Sequence, residues 1–239
     1  MRVRCFIFLV FFFSVFTLKA QVQFSGWFMS VNTLRLNKKL SLHIEGQVRS
    51  TDQWSNVQTI LLRTGLNVHL SKSLSVTAGY AYIPSRRTLG SLSELLAEHR
   101  IWQQALFNHR LSIISVSHRL RFEERFLPKA KVENNDLETD GYNQAFRFRY
   151  FIRNIIPLNG KAGFSKGWFG AVQEEVLLNT GNKSAVNGKT FDQNRLYLAV
   201  GYRLNAKIDL ETGYMNQYIN TASSFVNNHI VQVAVYKRL

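Results

Sequence analysis

Residues 208–218 read Ile-Asp-Leu-Glu-Thr-Gly-Tyr-Met-Asn-Gln-Tyr, in which the even positions are mostly apolar or aromatic and the odd positions are mostly acidic, polar or small. A period of two predicts an extended strand, because successive side chains of a strand point to opposite faces of the sheet. Comparable segments recur from residue 40 to the C-terminus, with turn residues between them. The alternation alone fits either a soluble sandwich, whose charged face meets water, or a membrane barrel, whose apolar face meets lipid.

The spacing of these segments favours the barrel. The candidate strands are 23–36, 40–50, 56–70, 74–83, 96–107, 111–126, 142–156, 166–178, 191–204, 208–219 and 228–237. Short polar turns lie at 37–39, 71–73, 108–110, 157–165 (somewhat longer) and 205–207. Longer polar loops lie between them, at 51–55, 84–95, 127–141, 179–190 and 220–227. An outer-membrane barrel alternates connections in this way, because one rim carries tight turns and the other carries long loops.

We therefore predict an all-β fold, an up-and-down antiparallel transmembrane β-barrel of about 10–12 strands. The candidate strands number eleven. Single-chain bacterial barrels have even strand numbers, so we expect ten or twelve strands, with segment 23–36 incomplete or another segment missed or split.

Residues 1–20 have the organisation of a secretory signal peptide. Arg2 and Arg4 precede an apolar stretch at 6–15, and Leu18-Lys19-Ala20 offers a plausible cleavage site. The apolar stretch is too short to cross a bilayer as a helix. The sequence thus predicts a signal peptide at 1–20 and a single outer-membrane barrel domain at 21–239. Cys5 is the only cysteine, so the predicted mature chain has no disulfide and no thiolate metal site.

The chain is strongly basic. Its formal net charge is +15, and loss of Arg2, Arg4 and Lys19 with the signal would leave 15 − 3 = +12. In an exported barrel this charge fits outer-membrane lipids, lipopolysaccharide or an anionic solute better than it fits nucleic acid. The C-terminal strand alternates and carries Tyr236 near its end, which resembles the signal that the barrel-assembly machinery recognises. We expect these lipids and this machinery as partners, and no nucleic acid.

Arginine occupies the polar side of five predicted strands, namely 40–50, 56–70, 111–126, 142–156 and 191–204. A lipid-facing Arg at the bilayer midplane costs about 2–4 kcal/mol, so a barrel requires this side to face inward. The candidate anion-binding residues of the lumen are Arg63, Arg119, Arg121, Arg125, Arg147 and Arg149. The candidate ion-pair partners are Glu45, Glu98, Glu123, Glu175, Asp209 and Glu211. These charges either form ion-pair ladders that fill a narrow interior or leave a positive lumen that attracts anions, and the two interpretations are compatible.

Aromatic side chains lie toward the ends of several candidate strands, where interfacial belts form in membrane proteins. They are Trp27, Tyr80, Tyr82, Trp102, Trp168, Tyr202, Tyr214, Tyr218 and Tyr236. The general enrichment of aromatic residues in strands is an alternative explanation for part of this set.

The sequence contains no Gly-x-Ser-x-Gly elbow, phosphate-binding Gly loop, His-Glu-x-x-His or Asp-rich calcium loop. We therefore expect no catalytic residues, no cofactor and no metal. Two alternatives stay open. One is an outer-membrane hydrolase of lipid or lipopolysaccharide acyl chains that uses His118 or His69. The other is a soluble periplasmic barrel that binds a hydrophobic or anionic ligand.

Several segments resemble a family of uncharacterised outer-membrane β-barrel proteins catalogued as domain of unknown function 2490. The resembling stretches are Trp27, Leu-Leu-Arg-Thr-Gly-Leu at 61–66, Ala-Gly-Tyr-Ala-Tyr at 78–82, Glu-His-Arg-Ile-Trp-Gln-Gln at 98–104, His-Arg-Leu-Arg-Phe-Glu-Glu-Arg-Phe at 118–126, Asn-Arg-Leu-Tyr at 194–197 and Gly-Tyr-Met at 213–215. His99 departs from the pattern, which has Asn there. The resemblance implies a barrel in the outer membrane and supplies no activity. The leading hypothesis is an integral outer-membrane barrel with a positive, Arg-lined lumen and a structural, binding or narrow passive-transport role.

Overall fold

The computed structural model describes residues 21–160 and 162–239, so the predicted signal peptide at 1–20 lies outside the described residues. The described chain forms eleven strands and one short 3-10 turn, Asp52–Trp54. The strands are β1 (Gln21–Arg35), β2 (Leu40–Ser50), β3 (Val57–His69), β4 (Leu74–Leu89), β5 (Leu92–Leu111), β6 (Ile114–Glu133), β7 (Asp136–Pro157), β8 (Gly167–Thr180), β9 (Phe191–Asn205), β10 (Ile208–Asn220) and β11 (Phe225–Arg238).

The eleven strands close into one barrel in chain order, which confirms the all-β barrel prediction. The expectation of ten or twelve strands is wrong, because β1 is a complete wall strand. Ten neighbouring pairs are antiparallel, and the closing pair of β1 with β11 is parallel, with Gln21 opposite Val226 and Thr33 opposite Arg238. Hairpin connections reverse the chain at every step, so an odd number of strands leaves the first and the last pointing the same way.

Two of the predicted long loops are protruding hairpins. Segments 84–95 and 127–141 belong mostly to β4, β5, β6 and β7, which are joined by two-residue turns at 90–91 and 134–135. Asn134 and Asn135 have φ values of 50° and 62°, as a tight hairpin turn requires. Residues 129–136 and 138–144 are exposed on both faces. The apolar alternation therefore stops there although the strands continue, which is why the sequence pattern indicated loops.

The predicted division of each strand into an apolar side and a polar side is present in the barrel. Leu62 and Leu66 of β3 are 54% and 42% exposed, whereas Arg63 between them is buried. Likewise Leu120 and Phe122 of β6 are exposed while Arg121 and Glu123 are buried. Arg63 on β3 reaches Glu123 on β6 across the barrel, since these strands are not neighbours. The apolar side chains therefore cover the outside of the barrel and the charged ones fill its inside.

The aromatic residues divide between the two faces. Trp168, Tyr80, Tyr82 and Tyr214 are exposed on the outside. Trp27 and Trp102 are instead buried inside the barrel, so the expectation that they belong to interfacial belts is wrong. Tyr236 also faces inward, where its hydroxyl donates a hydrogen bond to Glu211.

Two glycines make room for Trp102 inside the barrel. A Cβ atom at Gly65 would lie 2.8 Å from the Trp102 ring, and one at Gly79 would lie 2.7 Å from it. Gly65 pairs with Gly79 and Gly79 pairs with Trp102 across β3, β4 and β5. The indole therefore lies flat against a wall that has no side chains at these positions.

Within residues 21–160 and 162–239 no helix has the length and apolar character needed to cross a membrane.

Candidate anion site in the barrel interior

Glu123 lies at the centre of a cluster of charges inside the barrel. Its carboxylate is fully buried and faces guanidinium groups from three other strands and from its own. The nitrogen-to-oxygen distances are 2.7 Å from Arg147, 2.8 Å from Arg149, 3.4 Å from Arg100, 3.7 Å from Arg63 and 3.8 Å from Arg121. Five arginines thus share one carboxylate. The cluster spans the interior because β3 and β5 lie on one side of β6 and β7 lies on the other.

The remaining interior carboxylates extend this network in both directions. Glu175 contacts Arg119 and Arg149 at 2.7 Å and Arg195 at 3.4 Å. Glu98 contacts Arg100 at 2.5 Å and Arg125 at 2.6 Å. The other pairs are Glu45 with Arg63, Glu211 with Arg153, Asp192 with Arg147, and Asp209 with Arg203 and Arg238.

The residues singled out from sequence all form ion pairs on the inner side of the barrel. The six arginines Arg63, Arg119, Arg121, Arg125, Arg147 and Arg149 each have a carboxylate within 4 Å. Glu45, Glu98, Glu123, Asp209 and Glu211 each contact at least one arginine. Their capacity to bind an added anion stays a prediction.

Two interior arginines were not singled out as site candidates, although the alternation of their strands places them on the same inner side as the predicted residues. Arg49 on β2 and Arg195 on β9 both lie over the ring of Trp27, at 4.0 Å and 5.4 Å from its centre. In the part of the chain that the structure describes, Arg49 has no carboxylate within 4 Å and donates only to the side-chain oxygen of Gln47. The alternation of its strand places Arg49 inside the barrel, but only the fold shows that no carboxylate of the described chain contacts it.

Two cavities occupy the barrel interior. The hairpin-end cavity has a volume of about 600 Å³ and reaches residues of the 51–52 turn and of β4 at the end that carries the β4–β5 and β6–β7 hairpins. The central cavity, of about 150 Å³, extends from there toward Met29, Gln173 and Tyr236. Four residues line both cavities and therefore form the constriction between them: Trp27, Arg49, Arg149 and Arg195.

The hairpin-end cavity is strongly positive. Its wall contains eight arginines and two carboxylates, so guanidinium groups exceed acids by six. The arginines are Arg49, Arg86, Arg87, Arg100, Arg125, Arg147, Arg149 and Arg195, and the acids are Asp52 and Glu98. A third cavity, of about 740 Å³, opens at the opposite end beside the C-terminal Leu239 and is also basic, with Arg35, Lys38, Lys72, Lys207 and Arg238 in its wall. Both ends of the interior thus present positive charge.

The histidines considered for catalysis lie apart from each other. His69 faces inward at the C-terminal end, where its Nε2 lies 2.9 Å from the Ser41 hydroxyl. That hydroxyl also accepts a hydrogen bond from Asn67, and no carboxylate of the described chain hydrogen-bonds to His69. His118 is on the outside, where it contacts Tyr150 and stacks on His109. The described residues contain no cluster of three or more His, Cys, Asp or Glu that could hold a metal ion.

Three comparisons place this chain among known proteins. The family described as "Protein of unknown function (DUF2490)" matches residues 24–228. An uncharacterized protein of Methylorubrum extorquens is 26% identical over 198 residues, which cover 81% of this chain and 78% of that protein. The crystal structure of the NanC porin superimposes with a TM-score of 0.53 at 10% identity, over 90% of this chain and 98% of the porin chain. The likeness to the porin concerns the fold.

Proposed function

The chain belongs to the DUF2490 family of proteins of unknown function, and on that premise we propose that it is an outer-membrane barrel whose narrow interior passes small anions. The exposed apolar side chains of the outer wall support a membrane location, because a barrel in water would not keep a band of Leu, Val and Phe exposed. The secretory signal predicted at 1–20 supports export. In this arrangement the end of the barrel that holds the C-terminus faces the periplasm, and the β4–β5 and β6–β7 hairpins face the outside of the cell.

The single observation that carries the transport proposal is the surplus of arginine in the hairpin-end cavity. Ion-pair ladders alone would need about as many acids as bases, because an uncompensated buried charge is costly. Five of the eight arginines in the cavity wall also pair with interior carboxylates, but Arg49, Arg86 and Arg87 pair with none among the described residues. The constriction below the cavity carries Arg49, Arg149 and Arg195. Such a lining concentrates anions and excludes cations.

The proposal predicts anion selectivity. The refolded mature protein in a planar bilayer under a KCl gradient should give a reversal potential close to the equilibrium potential of chloride. A reversal potential close to the equilibrium potential of potassium would overturn the proposed selectivity, and absence of any conductance would overturn the transport role.

Membrane location is checked separately by cell fractionation. Recovery of the protein in the soluble fraction without detergent would favour the soluble, ligand-binding barrel.

The contact between Ser41 and His69 favours one second candidate, acyl hydrolysis at the C-terminal end. A serine nucleophile needs a base within hydrogen-bond reach, which His69 provides, and an orienting third group. Release of fatty acid from phospholipid vesicles by the wild-type protein, and its loss in Ser41→Ala, would establish this activity. Equal release by both proteins, or none, would exclude it.

A further inference from the structure

Arg49 is a half-buried interior charge that has no acid beside it among the described residues. Its Nε and Nη2 donate to the single side-chain oxygen of Gln47, at 3.0 Å and 2.6 Å. The charges that act on it most strongly are those of four other guanidinium groups, Arg195, Arg100, Arg149 and Arg63. A guanidinium cannot lose its proton in a protein, so this repulsion has to be balanced by a negative group or by water.

Arg195 is only partly compensated and lies beside the same ring. It contacts Glu175 at 3.4 Å, but Glu175 is engaged more closely by Arg119 and Arg149. The Arg195 Nε is buried and has no hydrogen-bond partner in the described chain. Arg49 and Arg195 therefore leave donors available over Trp27, at the constriction and facing the hairpin-end cavity.

The wall beside these donors carries neutral polar groups. Ser25, Gln193, Gln217 and Asn228 line the same cavity and form a connected hydrogen-bonded row. Amide and hydroxyl groups such as these can exchange hydrogen bonds with the hydroxyl groups of a solute. A cavity of about 600 Å³ accommodates a small organic molecule.

We propose that Arg49 and Arg195, over Trp27, bind the oxyanion group of a small hydroxylated organic solute at the constriction. This proposal rests on the proposed function and adds to it a binding site and a ligand class. Carboxylate and phosphate share the geometry that a guanidinium fork recognises, with two oxygens accepting parallel hydrogen bonds. The hydroxylated part of the solute then lies against the row of amides and hydroxyls.

The test uses three solutes with the same carbon chain. Isothermal titration calorimetry on the refolded mature protein in detergent compares sorbitol, gluconate and sorbitol 6-phosphate. We expect gluconate or sorbitol 6-phosphate to bind at least about tenfold more tightly than neutral sorbitol, because a charge-assisted bidentate pair contributes on the order of 1.4 kcal/mol or more. The stronger of the two anions identifies the oxyanion. Equal binding of all three solutes, or no binding, would overturn the proposal.

Variants locate the site. Arg49→Gln and Arg195→Gln should each weaken binding of the preferred anion by about tenfold, and Arg49→Lys, which keeps the charge and loses the fork, should weaken it less. Arg203→Gln is the matched control, because Arg203 is an inward arginine that pairs with Asp209 and lines neither interior cavity. Unchanged affinity in both Gln variants, or an equal loss in Arg203→Gln, would contradict the assignment.

Loss of the binding site and loss of the transport role give different results. Chloride selectivity in the bilayer without preferential binding of gluconate or sorbitol 6-phosphate would leave the proposed function standing and remove the binding site. Binding of the preferred anion without conductance would support the site and remove the transport role. Heat-modifiable migration on gels verifies that every variant is folded before titration.

Discussion

At the scale of single residues, the barrel interior contains fewer carboxylates than guanidinium groups, so several arginines share one acid. Glu123 is shared by five arginines and Glu175 by three. Each buried guanidinium costs free energy unless an acid or several hydrogen bonds compensate it, and the central acids Glu123 and Glu175 therefore serve several arginines each. Arg147 donates two hydrogen bonds to one oxygen of the Glu123 carboxylate and Arg149 donates one to the other oxygen, which together fix its position. Removing one such acid therefore leaves several charges uncompensated.

Glu123→Gln should lower the stability of the barrel substantially. Glutamine keeps the shape of the side chain but not its charge, so the surrounding guanidinium groups lose their shared partner, at a cost of about 3–5 kcal/mol. Urea unfolding in lipid vesicles, followed by tryptophan fluorescence, measures the change in the free energy of unfolding. Glu133→Gln is the control, because its pair with Lys131 is exposed and contributes at most about 1 kcal/mol. Equal stability of the two variants would show that Glu123 does not hold the network together.

At the scale of elements, the first strand extends beyond its neighbour. Residues 21–26 of β1 pair with β11, whereas the pairing of β1 with β2 begins only at Trp27 opposite Arg49. Side chains from the turn after β2 cover this open edge: Asp52 accepts a hydrogen bond from the Phe24 amide at 2.7 Å, and Ser50 accepts one from the Gly26 amide at 2.9 Å. Uncovered edges of this kind can pair with other chains.

Asp52→Ala should loosen the first residues of β1 without unfolding the barrel. The Phe24 amide loses its acceptor, so we expect faster hydrogen–deuterium exchange in segment 21–26 and a loss of about 1 kcal/mol of global stability. Exchange measured by mass spectrometry on the refolded protein gives the comparison. Asp136→Ala, which removes an acceptor for Leu137 at the β6–β7 turn, is the control and should leave 21–26 unchanged. Exchange in 21–26 that is the same in wild type and Asp52→Ala would mean that the side chain does not protect this edge.

At the scale of the whole molecule, the barrel is narrow, positive inside and basic at both ends. Charged and aromatic side chains separate the hairpin-end cavity from the central cavity. In the proposed transport role, this division admits only small solutes. Arg86 and Arg87 line the hairpin-end cavity, and Lys38, Lys72 and Lys207 line the cavity at the other end. Positive charge therefore lines both ends of the interior, as the proposed passage of anions requires.

Salt should weaken the anion preference. The Debye length falls from about 30 Å at 0.01 M to about 3 Å at 1 M ionic strength, so the charges at the two ends are screened in strong salt. The reversal potential measured at a fixed KCl ratio should therefore indicate a larger chloride-to-potassium permeability ratio in dilute than in concentrated solution. A ratio independent of salt would assign the selectivity to the constriction alone, where Arg49, Arg149 and Arg195 are shielded from bulk ions.

The sequence by itself determined which side of each strand faces inward. The period of two is a local property of extended backbone, so Arg63, Arg121 and Glu123 could be assigned to the inner face from their positions alone. The same reasoning gave the barrel class. Segments 84–95 and 127–141 were predicted as loops but form hairpins. In the second of them the strands are exposed on both faces over 129–136 and 138–144 and so lose the apolar alternation.

Only the tertiary structure decided how the strands close and which charges meet. The parallel contact of β1 with β11 joins the two ends of the chain, and no local pattern encodes it. The alternation likewise does not distinguish Arg63 from Arg49, since both lie on the inner side of their strands. Arg63 reaches Glu45, whereas Arg49 reaches no acid among the described residues. The partner depends on the register of the strands and on which strands face each other across the interior. Trp102 lies on the same side of its strand as the inward Arg100, but the room for its ring depends on Gly65 and Gly79 of neighbouring strands. The physical difference is that side-chain direction is fixed within one strand, whereas charge compensation is fixed by contacts between strands that are distant in sequence.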